Sequence, residues 1–303
     1  MDSRSRLLII NADDFGYNDA ITQGILAGYR EGIITSTSAM VNIPGAPERI
    51  VAAHASEPAL PIGLHLNLTA GRPVLPAEKV PHLVRENGTF LPYESFLLRS
   101  SEIPLDEVRA EAAAQAEILI RCGVAFDHID YHQHIFALSA SFFGVVEELA
   151  NEYRVPIRQP MVKVLSGRLL LHDRQNIGNT LKVIASTLHR NPRYIANLFR
   201  LIYTYQRGNR VAETLGAPDW FISAFFGDPT LAHFFDILRQ LPPGLSELMV
   251  HPAMGTAELF TMEEGYRAER YRELSVLLDP RARAEIDRLS IHLTNFSAAK
   301  HLT

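Results

Sequence analysis

Asn11-Ala12-Asp13-Asp14-Phe15-Gly16 follows directly on the apolar run Leu7-Leu8-Ile9-Ile10, so two adjacent carboxylates stand at the end of a strand that reads as buried on both faces. Charge at that place costs free energy unless a partner offsets it. A metal ligand beside a proton acceptor is one use for the pair; a cap for a helix starting near Asn18 is the other. Neighbouring strand side chains point to opposite faces, so the two aspartates are expected to meet different partners. Two further clusters favour chemistry. Gly63-Leu64-His65-Leu66-Asn67-Leu68 alternates apolar and polar residues, which places His65 and Asn67 on one strand face. Asp130, His132 and His134 alternate within Asp127-His128-Ile129-Asp130-Tyr131-His132-Gln133-His134 and share a face if that segment is extended. A single strand histidine is more often a hydrogen-bonded core residue. Three strand-end clusters of carboxylate and imidazole point instead to a divalent metal, with zinc and other first-row ions suited to these ligands and magnesium favouring more oxygens.

The elements that must position these groups read as alternating strands and helices. Strands are expected at 7–11, 35–41, 61–68, 128–131, 156–159, 220–226, 247–251 and 291–296. Between them, Ile21, Ile25 and Tyr29, and then Phe142, Val145, Val146, Leu149 and Tyr153, mark helix faces at three- and four-residue spacing. About eight such units make an α/β protein with a closed or nearly closed barrel, whose catalytic groups collect at the carboxyl ends of the strands. Residues 70–104 carry five prolines and read as a long loop over the mouth. Residues 165–215 read as a helical insertion within a single domain spanning 1–303, with eight basic residues against two acidic ones. An ordinary solvated face accounts for such a run; contact with an anionic or lipid-linked substrate is the alternative.

Composition narrows the class. A formal net charge of −5 lacks the basic excess of a general nucleic-acid binder. The only cysteine, Cys122, excludes an internal disulfide and a cysteine-rich metal site. No apolar leader opens the sequence and no run is long enough to span a bilayer, so a cytoplasmic protein is expected. A homodimer is compatible with the sequence.

The chain resembles the YdjC-like carbohydrate deacetylases, which include chitooligosaccharide deacetylases and a hopanoid-associated branch. The resemblance rests on Asn11 to Gly16, Gly32 to Ser38 with Met40-Val41-Asn42, Gly63 to Leu66, Gly71-Arg72-Pro73, His128-Ile129-Asp130 with His132 and His134, and Met249 to Pro252, all in order. It implies an irregular (β/α) TIM-like barrel holding one divalent cation, magnesium by family habit and zinc by ligand chemistry, through Asp14, His65 and His132. It implies Asp13 as catalytic base and His251 as proton donor. The sequence departs from the family at Tyr131, where serine is common, and at Val250 and Ala253, where Cys and Gly often flank the histidine.

The implied chemistry is amide hydrolysis, which needs an activated water, a polarised carbonyl and a protonated leaving amine. One carboxylate and two imidazoles leave open positions on a metal. Asp13 would take the water's proton and His251, as imidazolium, would protonate the departing nitrogen. Asp130 and His134 would orient His132 or His251 through a second ring nitrogen, and His134 is also the alternative ligand to His132. Asn67, Arg158 and Tyr131 are candidates to touch the sugar, as are Trp220, Phe225 and Phe226, for each of which a core role is equally available. The expected substrate is an N-acetylated sugar or oligosaccharide, free or lipid-linked. Two other readings stand beside this one: a metal-dependent phosphoesterase on a sugar phosphate, and a glycan-binding barrel without turnover.

Overall fold

The computed structural model describes residues 5–159, 214–261 and 265–299, so nearly all of the insertion expected at 165–215 lies outside the described residues. Seven strands form one sheet: β1 (Arg6–Phe15), β2 (Ser36–Ala39), β3 (Ile62–Leu66), β4 (Ile129–Tyr131), β5 (Trp220–Ile222), β6 (Gly244–Val250) and β7 (Ile291–Thr294). Neighbours follow the order β4-β3-β2-β1-β6-β5, every pairing is parallel, and β7 joins the first residues of β1 while β2 joins its last. Parallel neighbours need crossovers. Helices supply them: α1 (Asp19–Arg30), α2 (Ala46–Ser56), α3 (Tyr93–Arg99), α4 (Leu105–Arg121), α5 (Ala140–Tyr153), α6 (Leu231–Gln240), α7 (Ala257–Thr261), α8 (Ala268–Leu277) and α9 (Pro280–Arg288). Among the described residues, no helix is long and apolar enough to cross a membrane.

The sheet is curled. Asn11 on β1 donates to Asp130 on β4 at 3.2 Å although β2 and β3 lie between them; a flat sheet would hold those strands about 14 Å apart. The described strands thus form a curled half-barrel, with no pairing from β4 to β5. The strand expected at 156–159 is reduced to one parallel bridge between Ile129 and Ile157. There the Ile129 amide donates to the Pro156 carbonyl at 3.0 Å and the Arg158 amide to the Ile129 carbonyl at 2.9 Å, while the Ile157 amide, on the opposite side of its segment, donates to the Gly216 carbonyl at 3.0 Å.

Strand alternation sorts the buried residues into an outer and an inner face. Leu8, Ile10 and Ala12 pack outward in the main apolar core, while Ile9 turns inward with Leu245, Phe296 and Ala299. The interior floor continues with His128, stacked on Phe296 at 3.7 Å. Gly63 is required there, because a Cβ would sit 2.2 Å from the His128 ring. Two residues further along each strand the inward positions become polar: Asn11, Asp130 and Glu247, then Asp13 at the mouth.

Residues 70–104 are less loop-like than expected. They include α3, and α4 fastens them: Val74 and Leu75 amides donate to Glu111 at 2.8 and 3.0 Å, and the His82 amide to Glu107 at 3.0 Å. These buried carboxylates satisfy amides that would otherwise lack partners in a turn-rich segment.

Candidate active site

At the end of β1 the pairing with β2 slips between Ala12 and Phe15, and Asp14 adopts φ 69°. Left-handed backbone at a non-glycine residue costs energy and re-aims a side chain. The bulge brings Asp14 to the end of the sheet that Asp13 already occupies, yet the two aspartates meet different partners as expected: Asp13 bonds Arg158 and Asn11, and Asp14 bonds Arg270 and faces His132 and His65. Helix capping makes no demand on either, because Asn18 itself caps α1, accepting from the Ile21 amide at 2.8 Å.

Asp14 Oδ1, His65 Nε2 and His132 Nδ1 form a buried triangle with edges of 3.5 Å (Asp14 to His65), 3.1 Å (Asp14 to His132) and 3.4 Å (His65 to His132). Ligand atoms about 2.0–2.1 Å from a common ion, in tetrahedral to octahedral arrangement, lie about 2.9–3.4 Å apart. The trio could therefore hold a metal ion. The Asp14 oxygen that faces the trio has no hydrogen-bond donor, as expected of an atom kept for a cation. Its other oxygen accepts from Arg270 Nη2 at 2.6 Å. Burial works against the Asp14 charge, but Arg270, His132 and His65 together hold its carboxyl well below the usual range.

His65 is set from behind. Asp130 Oδ1 lies 2.8 Å from its Nδ1, and Ser38 Oγ lies 3.1 Å from the same nitrogen. A proton on Nδ1 directs the Nε2 lone pair to the trio. Asp130 thus orients His65, where His132 or His251 was expected. Burial would lower the His65 pKa, but the Asp130, Asp13 and Asp14 charges outweigh it and raise it to about 9. A buried salt-bridge network surrounds this group. Arg158 forks onto Asp13 at 2.8 and 2.6 Å, reaches Asp130 at 2.8 Å and bonds Glu247 at 2.7 Å. Four carboxylates (Asp13, Asp14, Asp130, Glu247) thus meet two guanidiniums (Arg158, Arg270). Once His65 gives up its proton to a metal, the carboxylates outnumber the cationic side chains, which suits a divalent ion. Burial pushes the Glu247 carboxyl up to about 7 despite Arg158.

His251, just past β6, puts Nε2 4.0 Å from Asp13 Oδ2. Its ring meets the edge of Phe226 at 5.3 Å, and Phe226 stacks on Tyr266 at 4.1 Å. Burial lowers the His251 pKa to about 4.

The alternation of Asp130, His132 and His134 fails after His132. β4 stops at Tyr131, and a tight turn follows in which Gln133 and His134 take φ 51° and 54°. His134 leaves the trio and lies 5.3 Å from the Phe221 ring. The three polar candidates for sugar contact are buried. Arg158 is committed to carboxylates, Tyr131 packs beside Phe136 and His134, and the Asn67 amide bonds Asn42 Oδ1 at 2.9 Å and the Ala70 carbonyl at 2.7 Å. Phe225 is also core, whereas Phe226 is half-buried beside His251. Sequence reasoning missed Ser38, Glu247, Arg270 and Glu273. Glu247 was signalled by a charge between Leu245 and Met249 in an apolar strand, and Arg270 and Glu273 by charges in the inner stripe of α8.

The family model described as YdjC-like protein matches residues 7–288. The carbohydrate deacetylase of Geobacillus stearothermophilus is 30% identical over 96% of this chain and 97% of its own length. The chitooligosaccharide deacetylase of Proteus mirabilis (strain HI4320) is 32% identical over 90% of each chain. A carbohydrate deacetylase of Enterococcus faecalis is 40% identical over a shorter stretch, 51% of this chain and 58% of that protein. Among solved structures, one from E. faecalis V583, named as a cellobiose-phosphate cleavage protein, superposes with a TM-score of 0.78 at 28% identity, covering 97% of this chain and 98% of that one. The family match begins in the apolar run that leads to Asp13 and Asp14 and ends beyond Arg270 and Glu273, and the chain belongs to the YdjC-like protein family.

Proposed function

We propose that the chain is a metal-dependent carbohydrate deacetylase, a hydrolase that removes acetyl from an N-acetylated sugar or oligosaccharide in the cytoplasm, with residues 1–303 acting as one irregular TIM-like barrel domain. The observation that carries the reading is the Asp14–His65–His132 triangle beside Asp13. Relatives named as carbohydrate and chitooligosaccharide deacetylases support it.

In this reading Asp14, His65 and His132 hold one divalent cation, zinc by donor type or magnesium with added oxygens, which when bound polarises the amide carbonyl and acidifies water. Asp13 accepts the proton of the attacking water. Its Oδ1 accepts from both Arg158 and Asn11, at 2.6 and 3.0 Å, so Oδ2, which accepts from Arg158 alone at 2.8 Å, is the oxygen that keeps a second lone pair for that purpose. Neutral His251, 4.0 Å away, is placed to take that proton over and deliver it to the leaving nitrogen. Asp130 keeps His65 in the required tautomer. Phe226, beside His251, offers the half-buried ring nearest the reacting groups for contact with a pyranose.

One observation favours a second reading. The E. faecalis structure is named as a cellobiose-phosphate cleavage protein, so its printed substrate carries a phosphate, and the same residues would suit polarisation of a phosphoryl oxygen. Incubation with N,N′-diacetylchitobiose and, separately, with a sugar phosphate decides between them. Acetate release without phosphate release is expected; the reverse result selects the phosphoesterase.

A further inference from the structure

We propose that α8 is a positioning element of this site, in which Arg270 fixes Asp14 as a one-oxygen ligand and Glu273 fixes the backbone that carries His251. The inference rests on the metal-dependent reading above.

The buried residues of α8 are Arg270, Glu273, Leu274, Val276 and Leu277, and all but Val276 follow the spacing of one face packed on the sheet. Two of the five are charged, at 3% and 0% exposure. Ions on an inward stripe persist only with partners, and here both find them at the active site. Arg270 Nη2 donates to Asp14 Oδ2 at 2.6 Å. One turn later, Glu273 Oε2 accepts from the His251 amide, while Oε1 accepts from the Tyr266 hydroxyl at 2.6 Å. The Tyr266 oxygen accepts in turn from the Gly227 amide at 3.0 Å. The Ala253 amide donates to the Arg270 carbonyl at 3.2 Å. The segment after β6 therefore hangs from α8 at two alternate amides, and a single helical turn spaces the carboxylate ligand from the histidine.

The chemical consequence follows from the two oxygens of Asp14. With Oδ2 held by a guanidinium, only Oδ1 faces the trio. Without Arg270 both oxygens are free to grip an ion side-on, and a buried carboxylate loses its counter-charge. Both changes favour the cation, and the side-on grip occupies the position that water or substrate needs. Loss of Arg270 should therefore tighten metal binding and slow turnover together, whereas general structural damage weakens both. Glu273 touches none of the three ligands, so its loss should slow turnover and leave metal affinity unchanged.

The test is calorimetric titration of Zn²⁺, then Mg²⁺, into the chelator-stripped full-length protein, with Tm measured with and without the ion and kcat on a chitooligosaccharide. Arg270→Met should bind about tenfold more tightly or better, show a wider Tm gap between loaded and stripped forms than wild type, and turn over more slowly. If the stripped variant is too unstable to titrate, the Tm gap carries the result. Glu273→Ala should keep wild-type affinity with kcat down by about tenfold, and Glu273→Gln, which retains an acceptor for the His251 amide, should recover most of that loss. Wild-type or weaker affinity and Tm gap in Arg270→Met, or metal loss in Glu273→Ala, overturns the assignment. A wild-type protein that binds neither ion overturns the metal-dependent reading as well, so the two failures are distinguishable.

Discussion

Arg158 holds Asp13 with both prongs of its guanidinium, Nη1 to Oδ2 at 2.8 Å and Nη2 to Oδ1 at 2.6 Å, while neither residue has appreciable contact with solvent. The fork fixes the plane of the carboxylate, which a lysine at that place cannot do. It also neutralises part of a crowd of carboxylates whose burial is otherwise unfavourable.

Arg158→Met should therefore destabilise the fold by about 3–5 kcal/mol, because Asp13, Asp130 and Glu247 lose a shared buried counter-ion. Arg158→Lys should be milder in stability yet still slow. Urea denaturation checks the first statement, and a loss below about 1 kcal/mol would mean that the network relaxes into solvent.

Asp13→Asn should retain the metal and lose turnover by roughly 10² to 10⁴-fold, since it removes a proton acceptor and leaves the ligand trio intact. Steady-state kinetics beside elemental analysis is the measurement. More than about a tenth of the wild-type rate would remove Asp13 from that role.

His65→Ala and His132→Ala should each lower metal occupancy, and His134→Ala should not, because the turn at Gln133 and His134 carries His134 out of the trio. Elemental analysis of the purified variants decides this. Metal loss in His134→Ala with retention in His132→Ala would invert the ligand assignment.

Metal binding should release protons. The His65 pKa of about 9 means that the metal-free ring is protonated at pH 7, and Nε2 must give up its proton to serve as a ligand. Affinity should therefore weaken as pH falls below about 9, by about tenfold per unit, with about one proton released per ion at pH 7. Calorimetry in buffers of different ionisation enthalpy measures that proton directly. Zero release would place His65 outside the ligand set.

Much of this site was legible in the sequence because strand alternation is a strict period. His65 and Asp130, Asn11 and Asp13 come to the interior by that rule alone, and Leu8 and Ile10 go to the core by the same one. The rule fails where the backbone leaves the strand. The bulge at Asp14 and the left-handed pair Gln133 and His134 are conformations that no side-chain pattern announces, and they decide which groups meet. The partners of Arg158 were hidden for another reason. Asp13, Asp130 and Glu247 are far apart in sequence, and only the curl of the sheet gathers them onto one guanidinium. The single bridge at Ile157 shows the same limit from the other side, since residues 156–159 do not announce how long a ladder they will join.

The central claim is metal-dependent deacetylation, and acetate release from N,N′-diacetylchitobiose before chelation, after chelation and after return of Zn²⁺ or Mg²⁺ tests it most directly. The account predicts release by the untreated protein, loss on chelation, recovery with the ion, and no recovery in Asp13→Asn. Release that survives complete removal of metal, or its absence in metal-loaded wild type across mono- and oligosaccharide substrates, would contradict it.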